Sequence, residues 1–94
     1  MKTIFITGAS AGIGKSTAQI FANRGWQVVA TMRSPEKETE LTNNGNILVL
    51  PLDVTKPETI DSAVKTAIDR FGSIDVLVNN AGFYTIGALE SFSD

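Results

Sequence analysis

The stretch TGASAGIGKST at residues 7–17 decides the fold, and it follows the short apolar run TIFI at residues 3–6. It contains three glycines separated by small residues, and then Lys-Ser-Thr. Two kinds of ligand suit such a loop: the pyrophosphate of a dinucleotide, or the phosphates of a nucleoside triphosphate. Features elsewhere in the chain distinguish between these two ligands.

The composition is typical of one small globular domain. The chain has 94 residues, of which 43% are hydrophobic and 19% charged. Its net charge of -2 argues against a surface built for nucleic acid or anionic membrane. It has no Cys or His to bind a metal, and no apolar run approaches the roughly 18 residues of a membrane span. We therefore expect a cytoplasmic protein without a metal site and without a nucleic-acid or membrane partner.

Four short runs rich in Val, Ile and Thr predict β-strands. They cover residues 3–7, 26–32, 47–52 and 74–79. Such runs, bounded by turn residues, are typical of strands that are buried on both faces of a parallel sheet. Pro51 cannot donate a hydrogen bond to a neighbouring strand, so the third strand should end near it or lie at a sheet edge.

Helical patterns lie between these strands. In the first, one predicted face carries Ile13, Thr17, Ile20, Phe21 and Arg24. The clearest helix covers residues 56–71, and Thr55 and Glu58 have the spacing of a capping box. Residues 34–45 predict a short exposed helix. The alternation of strands and helices predicts an α/β fold, a doubly wound parallel sheet forming one domain over residues 1–94.

The three glycines have distinct expected roles. In a doubly wound sheet the ligand lies beyond the carboxyl ends of the strands, where the first loop enters the first helix. Gly8 permits a tight turn, Gly12 lets backbone N–H groups approach a phosphate, and Gly14 lets the helix pack close to the sheet. The helix dipole favours an anion at the same place.

A P-loop is the alternative. Residues 14–16 supply the second half of G-x-x-x-x-G-K-[ST], but Ala9 stands at the first glycine, and Asp53 resembles a magnesium-binding Asp after a strand. Three features favour a dinucleotide instead. The glycines are closely spaced, Arg33 ends the second strand where the adenosine ribose lies, and NNAG at residues 79–82 ends the fourth strand beside the first.

Together these motifs resemble the N-terminal half of a short-chain dehydrogenase/reductase, a family with a Rossmann fold. The family's T-G-x-x-x-G-x-G is found at residues 7–14, its acidic-plus-apolar pair at residues 53–54, and its N-N-A-G at residues 79–82. The resemblance covers essentially all 94 residues. It implies the strand order 3-2-1-4, with the fourth strand at an edge.

The resemblance also implies a set of cofactor-binding residues. The backbone from Ser10 to Gly14 would cradle the pyrophosphate, Asp53 would accept a hydrogen bond from the adenine amino group, and NNAG would contact the adenosine ribose or brace the sheet through Asn79. Ile13 would pack near the nicotinamide half of the cofactor. The implied set is Gly8, Ser10, Ala11, Gly12, Ile13, Gly14, Arg33, Asp53, Val54, Asn80, Ala81 and Gly82.

The end of the second strand predicts which dinucleotide is preferred. Met32 stands where an NAD-preferring site usually has an acidic residue, and Arg33 follows it. A guanidinium pairs with a 2′-phosphate through a fork of charge-assisted hydrogen bonds, and Ser10 can donate another. The family's second basic residue is replaced by Ala11, and Lys15 lies one turn into the helix. We therefore predict NADP(H) over NAD(H).

Catalytic residues are not expected among these 94 residues. The family's chemistry needs a Ser together with Y-x-x-x-K, whereas Tyr84 is the only tyrosine and is followed four positions later by Ala88. The resemblance implies a parent enzyme that transfers hydride between the nicotinamide and an alcohol or ketone, and we expect this chain to be inactive alone. The alternatives are a non-catalytic dinucleotide-binding module and a P-loop nucleotide hydrolase.

An exposed sheet edge predicts self-association. The strand at residues 74–79 is apolar, and an uncovered edge pairs readily with another chain. We also expect poor cover over the sheet around Ile4, Ile6, Val76 and Val78, because one face receives only the helix at residues 56–71. Self-association is therefore expected through this edge or this face, and the alternative is that the isolated chain is only marginally stable.

Overall fold

The part of the chain that the structure describes forms a four-stranded parallel sheet with one α-helix on each face. The computed structural model describes residues 1–10 and 12–80. The strands are β1 (Thr3–Thr7), β2 (Gln27–Met32), β3 (Ile47–Pro51) and β4 (Val76–Asn79), and the helices are α1 (Gly12–Asn23) and α2 (Pro57–Phe71). The spatial order is β3-β2-β1-β4, with every pairing parallel. This confirms the predicted architecture and strand order.

Strand β1 lies between β2 and β4, and all five of its residues are buried. Its residue Ile4 pairs with Val28 on one side and with Val76 on the other. At one edge, β3 ends at Pro51, which is paired with Met32. Both expectations for the proline are therefore met, because an edge strand that ends there needs no further backbone donor.

Alternate residues of the strands build two cores. On the α1 side, Ile4 and Ile6 pack with Ala18 and the second of two short 3₁₀ turns; on the α2 side, Phe5 packs with Ala67. Ile4 and Ile6 are both 0% exposed, so the expectation of poor cover there was wrong. They face α1, which lies directly over them. Val76, by contrast, is 39% exposed.

The buried face of α1 differs from the predicted one. Its buried residues are Gly14, Ala18 and Ala22, whereas Ile13 is 76% exposed and Ile20 50% exposed. The interval of four residues places the small side chains on one stripe, and these let the helix axis lie close to the sheet. The larger side chains would hold the helix away, so most of them turn outward.

Two local predictions were wrong. Residues 34–45 form two 3₁₀ turns, Pro35–Lys37 and Leu41–Asn43, rather than an exposed helix, and the Leu41 side chain is fully buried. The capping box at the start of α2 does not form either. The N-cap is Lys56, without a side-chain cap, because the hydroxyl of Thr55 donates instead to Asp53 Oδ1 at 2.6 Å.

The glycine at the start of α1 sets how closely the helix approaches β1. A Cβ on Gly14 would overlap the carbonyl oxygen of Gly8 and would lie 2.7 Å from Asn80 Nδ2. The Asn80 amide itself donates to that same Gly8 oxygen at 3.0 Å. Only a residue without a side chain fits at this contact.

Replacing Gly14 by Ala is therefore expected to destabilise the protein by about 1–3 kcal/mol, the typical cost of inserting an atom into packed structure. The better helix propensity of Ala offsets only about 1 kcal/mol of the gross strain. Gly45→Ala is the matched control, since a Cβ there meets nothing within 4 Å. Urea denaturation measures both variants, and equal stabilities would contradict the close approach.

Candidate functional site

The loop after β1 is held in a shape that leaves its outer side open. Gly8 and Gly12 have φ angles of 66° and 60°, in the left-handed region that favours glycine. Between them, the buried Ala9 donates its N–H to Thr31 O at 3.0 Å, which fixes the loop to β2. A Cβ on Gly12 would meet nothing within 4 Å. The space over the loop therefore allows close approach to the backbone.

The first turn of α1 adds an electrostatic preference to this open space. The first four N–H groups of any α-helix have no partner within the helix, and the helix dipole places partial positive charge there. A helix that starts at Gly12 thus presents backbone donors beside the open loop. The arrangement suits an anion. Ala11, predicted to join this cradle, lies outside the described residues.

The carboxyl ends of β1 and β4 are joined by a small hydrogen-bond network. The Thr7 hydroxyl donates to Asn79 Oδ1 at 3.1 Å and accepts from the Asn80 N–H at 2.9 Å. With the bond from the Asn80 amide to Gly8, these contacts fix the loop to the sheet. Asn79 therefore braces the sheet. The predicted contact between Asn80 and a ribose stays a prediction, and Ala81 and Gly82 lie outside the described residues.

A cleft of about 440 Å³ opens beside the loop, at the ends of β2 and β3. It brings together five of the predicted residues: Gly8, Ser10, Arg33, Asp53 and Val54. Its remaining lining residues are Met32, Ser34, Lys37, Leu52 and Thr55. The predicted residues Gly12, Ile13, Gly14 and Asn80 lie outside this lining. The cleft thus contains three of the residues predicted to contact the adenosine half, Arg33, Asp53 and Val54.

The carboxylate of Asp53 is held in place by its neighbour. Its Oδ1 accepts from the Thr55 hydroxyl at 2.6 Å and from the Thr55 N–H at 3.0 Å. These bonds, and to a lesser degree the charges of Arg33 and Lys56, lower the pKa of Asp53. The group is therefore an ionised acceptor at neutral pH, oriented at the rim of the cleft.

Sequence reasoning missed the cleft residue Lys37. It ends the 3₁₀ turn Pro35–Lys37, and the helix predicted for this segment gave no reason to direct its side chain toward the loop. The available signal was its position, four residues after Arg33. In a 3₁₀ turn, residues that are three apart lie on the same side of the chain, and Ser34, three residues before Lys37, lines the same cleft.

The lysine that matched a P-loop is engaged elsewhere. Lys15 Nζ lies 3.0 Å from Glu40 Oε1 and 3.3 Å from Glu38 Oε2. The hydrogen bond with Glu40, followed by the smaller effects of Glu38, raises the pKa of Lys15. A P-loop lysine has to reach the β- and γ-phosphates. Lys15 instead joins α1 to the segment between β2 and β3.

Glu38 is the buried end of that connection, with its side chain 4% exposed. Its Oε2 accepts from the N–H groups of Leu41 at 2.9 Å and Glu40 at 2.8 Å, as well as from Lys15. These donors, the Leu41 N–H first, lower the pKa of Glu38 despite its burial. One carboxylate oxygen thus organises the second 3₁₀ turn and ties it to α1.

Another cleft, of about 480 Å³, lies between the C-terminal half of α1 and the second 3₁₀ turn. Its only charged lining residue is Glu40, which pairs with Lys15. None of its lining residues belongs to the glycine loop or to the cleft beside it, so it is separate from the candidate site. Within residues 1–10 and 12–80, no helix is long and apolar enough to cross a bilayer, and no cluster of His, Cys, Asp and Glu is suited to a metal ion.

Comparison with known proteins identifies the family. The family model described as short chain dehydrogenase matches residues 2–94. The chain belongs to the short-chain dehydrogenase family. This confirms the resemblance read from the three motifs and removes the P-loop alternative.

Several short-chain dehydrogenase relatives match nearly the whole chain. An oxidoreductase of Botryotinia fuckeliana is 45% identical over 92 residues, which cover 95% of this chain and 34% of the relative. The 3-oxoacyl-[acyl-carrier-protein] reductase of Vibrio cholerae is 42% identical over 85 residues, 86% of this chain and 34% of the relative. The chain therefore spans about a third of the length of these relatives.

Solved structures show the same fold. The hydroxysteroid dehydrogenase of Escherichia coli superposes with a TM-score of 0.79 at 33% identity, over 87% of this chain and 37% of that one. The 3-ketoacyl-(acyl-carrier-protein) reductase of Brucella melitensis, complexed with NADH, gives a TM-score of 0.75 at 32% identity, over 81% of this chain and 32% of that one.

The buried carboxylate predicts a specific loss of stability. Glu38→Ala leaves two backbone N–H groups without their acceptor and should cost about 1–3 kcal/mol in unfolding free energy. Glu36→Ala is the matched control, because this acid is exposed in the same segment and should change stability by less than about 0.5 kcal/mol. Urea denaturation at pH 7 compares the two variants.

The contribution of Glu38 to stability also depends on pH. The folded-state pKa of Glu38 is lowered, so its stabilisation is fully present above the unfolded-state pKa of about 4.3 and is lost as the pH falls through the folded-state value. The stability difference between the wild type and Glu38→Ala should therefore shrink on acidification below about pH 4. A difference that does not change with pH would exclude this role for the carboxylate.

Proposed function

We propose that this chain binds NADP(H), in preference to NAD(H), within an oxidoreductase that transfers hydride between the nicotinamide and an alcohol or ketone. One observation carries the proposal. Arg33 and the ionised Asp53 line the same cleft as Gly8 of the glycine loop, and Met32 stands where an acidic residue would repel a 2′-phosphate.

The described residues fit the parts of such a cofactor. The open backbone over Gly12 and the first N–H groups of α1 are donors for the pyrophosphate. Asp53 is an acceptor for the adenine amino group, and Arg33 a cation for the 2′-phosphate. When bound, the dinucleotide supplies the nicotinamide that gives or accepts hydride. The chain's own contribution is to bind and orient its adenosine half.

The relatives support the proposal of an oxidoreductase that uses a nicotinamide cofactor. The Brucella melitensis reductase binds NADH, and the Vibrio cholerae relative is a 3-oxoacyl reductase, so nicotinamide chemistry on a carbonyl group occurs among proteins similar to this chain. The choice of NADP(H) depends on Met32 and Arg33 in this sequence. Exposed Arg33 is free to turn toward a phosphate at the cleft mouth.

We further propose that these 94 residues bind the dinucleotide without catalysing hydride transfer. The sequence contains no Tyr followed four positions later by Lys, so these residues lack the pair with which this family transfers the proton. A non-catalytic dinucleotide-binding module is the alternative, and the presence of Y-x-x-x-K in a longer transcript would exclude it. The cytoplasmic location stays a prediction.

Arg33→Ala tests the cofactor preference. Loss of the guanidinium should weaken NADPH binding about tenfold or more and leave NADH binding nearly unchanged, since only NADPH carries the 2′-phosphate. Titration of nucleotide fluorescence at low salt measures both constants. Arg24→Ala removes an exposed arginine outside the cleft and is the matched control. Equal affinity of the wild type for the two nucleotides would refute the proposal.

We also propose that two copies of this chain associate through the edge of β4. In the described sheet β4 pairs only with β1, and Val76 is 39% exposed beside that free edge. Sedimentation velocity should show dimers at micromolar concentrations, and Val76→Lys should shift them to monomer. A monomeric wild type whose β4 amides exchange slowly would contradict this proposal.

A further inference from the structure

We propose that Lys37 is a second cation for the 2′-phosphate of the nucleotide and shares with Arg33 the selection of NADP(H). This inference rests on the proposed function and adds a specificity residue to it. Lys37 and Arg33 line the same cleft, together with the hydroxyl-bearing Ser10 and Ser34.

The local backbone directs Lys37 to the cleft. The Lys37 N–H donates to Ser34 O at 3.1 Å, and the next N–H, of Glu38, donates to Pro35 O at 3.0 Å. Pro35 begins this turn, and its ring fixes φ without requiring a donor. The chain turns back on itself here. Lys37, at the end of the turn, therefore lies on the same side as Arg33, which directly follows β2, and both line the cleft.

The residues on both sides of the turn Pro35–Lys37 are held by hydrogen bonds to other parts of the fold. On one side, Met32 ends β2 and accepts from the Leu52 N–H at 2.8 Å. On the other, Glu38 is held by Lys15 and by the N–H of the buried Leu41. A cation between two anchors loses less conformational freedom on binding than one on a free loop, and pre-ordering of this kind favours affinity.

No carboxylate of the described residues forms an ion pair with Lys37, so its ammonium group is available to a ligand. Both ion pairs within residues 1–10 and 12–80 belong to Lys15, which takes the carboxylates of Glu38 and Glu40. Glu38, one of the two carboxylates next to Lys37 in sequence, is therefore already paired with another cation. The other, Glu36, is exposed and does not line the cleft. Lys37 itself has no ion-pair partner among those same residues and is exposed at the cleft.

Lys37 changes the charge balance of the cleft. Its charged lining residues are Arg33, Lys37 and Asp53, and Asp53 is ionised at neutral pH. With Arg33 alone, the formal charges of the lining would sum to zero, although the 2′-phosphate that it would hold carries close to two negative charges at pH 7. Lys37 makes the lining net positive by one charge.

The experiment measures NADPH and NADH affinity for the wild type, Lys37→Ala, Lys37→Arg and Arg33→Ala, with Lys65→Ala on the exposed side of α2 as the matched control. Lys37→Ala should weaken NADPH binding about fivefold and leave NADH binding unchanged, and the dependence of NADPH affinity on salt should become less steep. Lys37→Arg should restore most of the NADPH affinity. Unchanged NADH binding also shows that the variant is folded.

The outcomes separate this inference from the proposed function. If Arg33→Ala lowers NADPH affinity and Lys37→Ala does not, NADP(H) binding stands and the role of Lys37 is overturned. If Lys37→Ala weakens NADPH and NADH equally, its role is structural and the inference is overturned. If the wild type binds both nucleotides equally well, the proposed preference fails and the inference fails with it.

Discussion

The close contact between the start of α1 and the turn after β1 is the constraint on which the site depends. At Gly14 any Cβ would overlap the Gly8 carbonyl oxygen, and the Asn80 amide occupies the remaining space. This contact places the helix N-terminus beside the open loop and lets Ala18 reach the sheet. A larger residue would move the helix outward, which would open the core and at the same time displace the backbone N–H groups of the first turn of α1.

A second constraint is the arrangement of charged side chains after β2 and at the start of α1, where the carboxylates pair with one lysine and two other cations line the cleft. Lys15 takes the carboxylates of Glu38 and Glu40, so the positive charges of Arg33 and Lys37 remain on the cleft side. The same lysine gave the sequence its likeness to a P-loop. Its partners come from a segment more than twenty residues away, and local sequence cannot show which anion a flexible cation will meet.

Several features were predictable because local chemistry alone decides them. Four β-branched apolar runs predicted the strands, and Pro51 predicted the end of β3. The buried face of α1 was not predictable from apolar periodicity, because Gly14, Ala18 and Ala22 face the sheet while the larger Ile13 and Ile20 are exposed. In the cleft, Arg33 and Asp53 were predicted, whereas Lys37 was missed, because its direction depends on a 3₁₀ turn stabilised by distant contacts.

The sequence by itself determined the order of strands and helices, the glycine loop, and membership of a dinucleotide-binding family, because backbone conformation and hydrophobic alternation are local properties. Only the tertiary structure decided which side chains meet. It turned Asn79 into a brace for β1, directed Lys15 to Glu38, and placed Lys37 in the cleft that Arg33 also lines. The contacts of Asn79 and Lys15 join residues far apart in the chain, so their energies exist only once the sheet has assembled. Lys37 depends on them indirectly, because the contact of Lys15 with Glu38 anchors the turn that Lys37 ends.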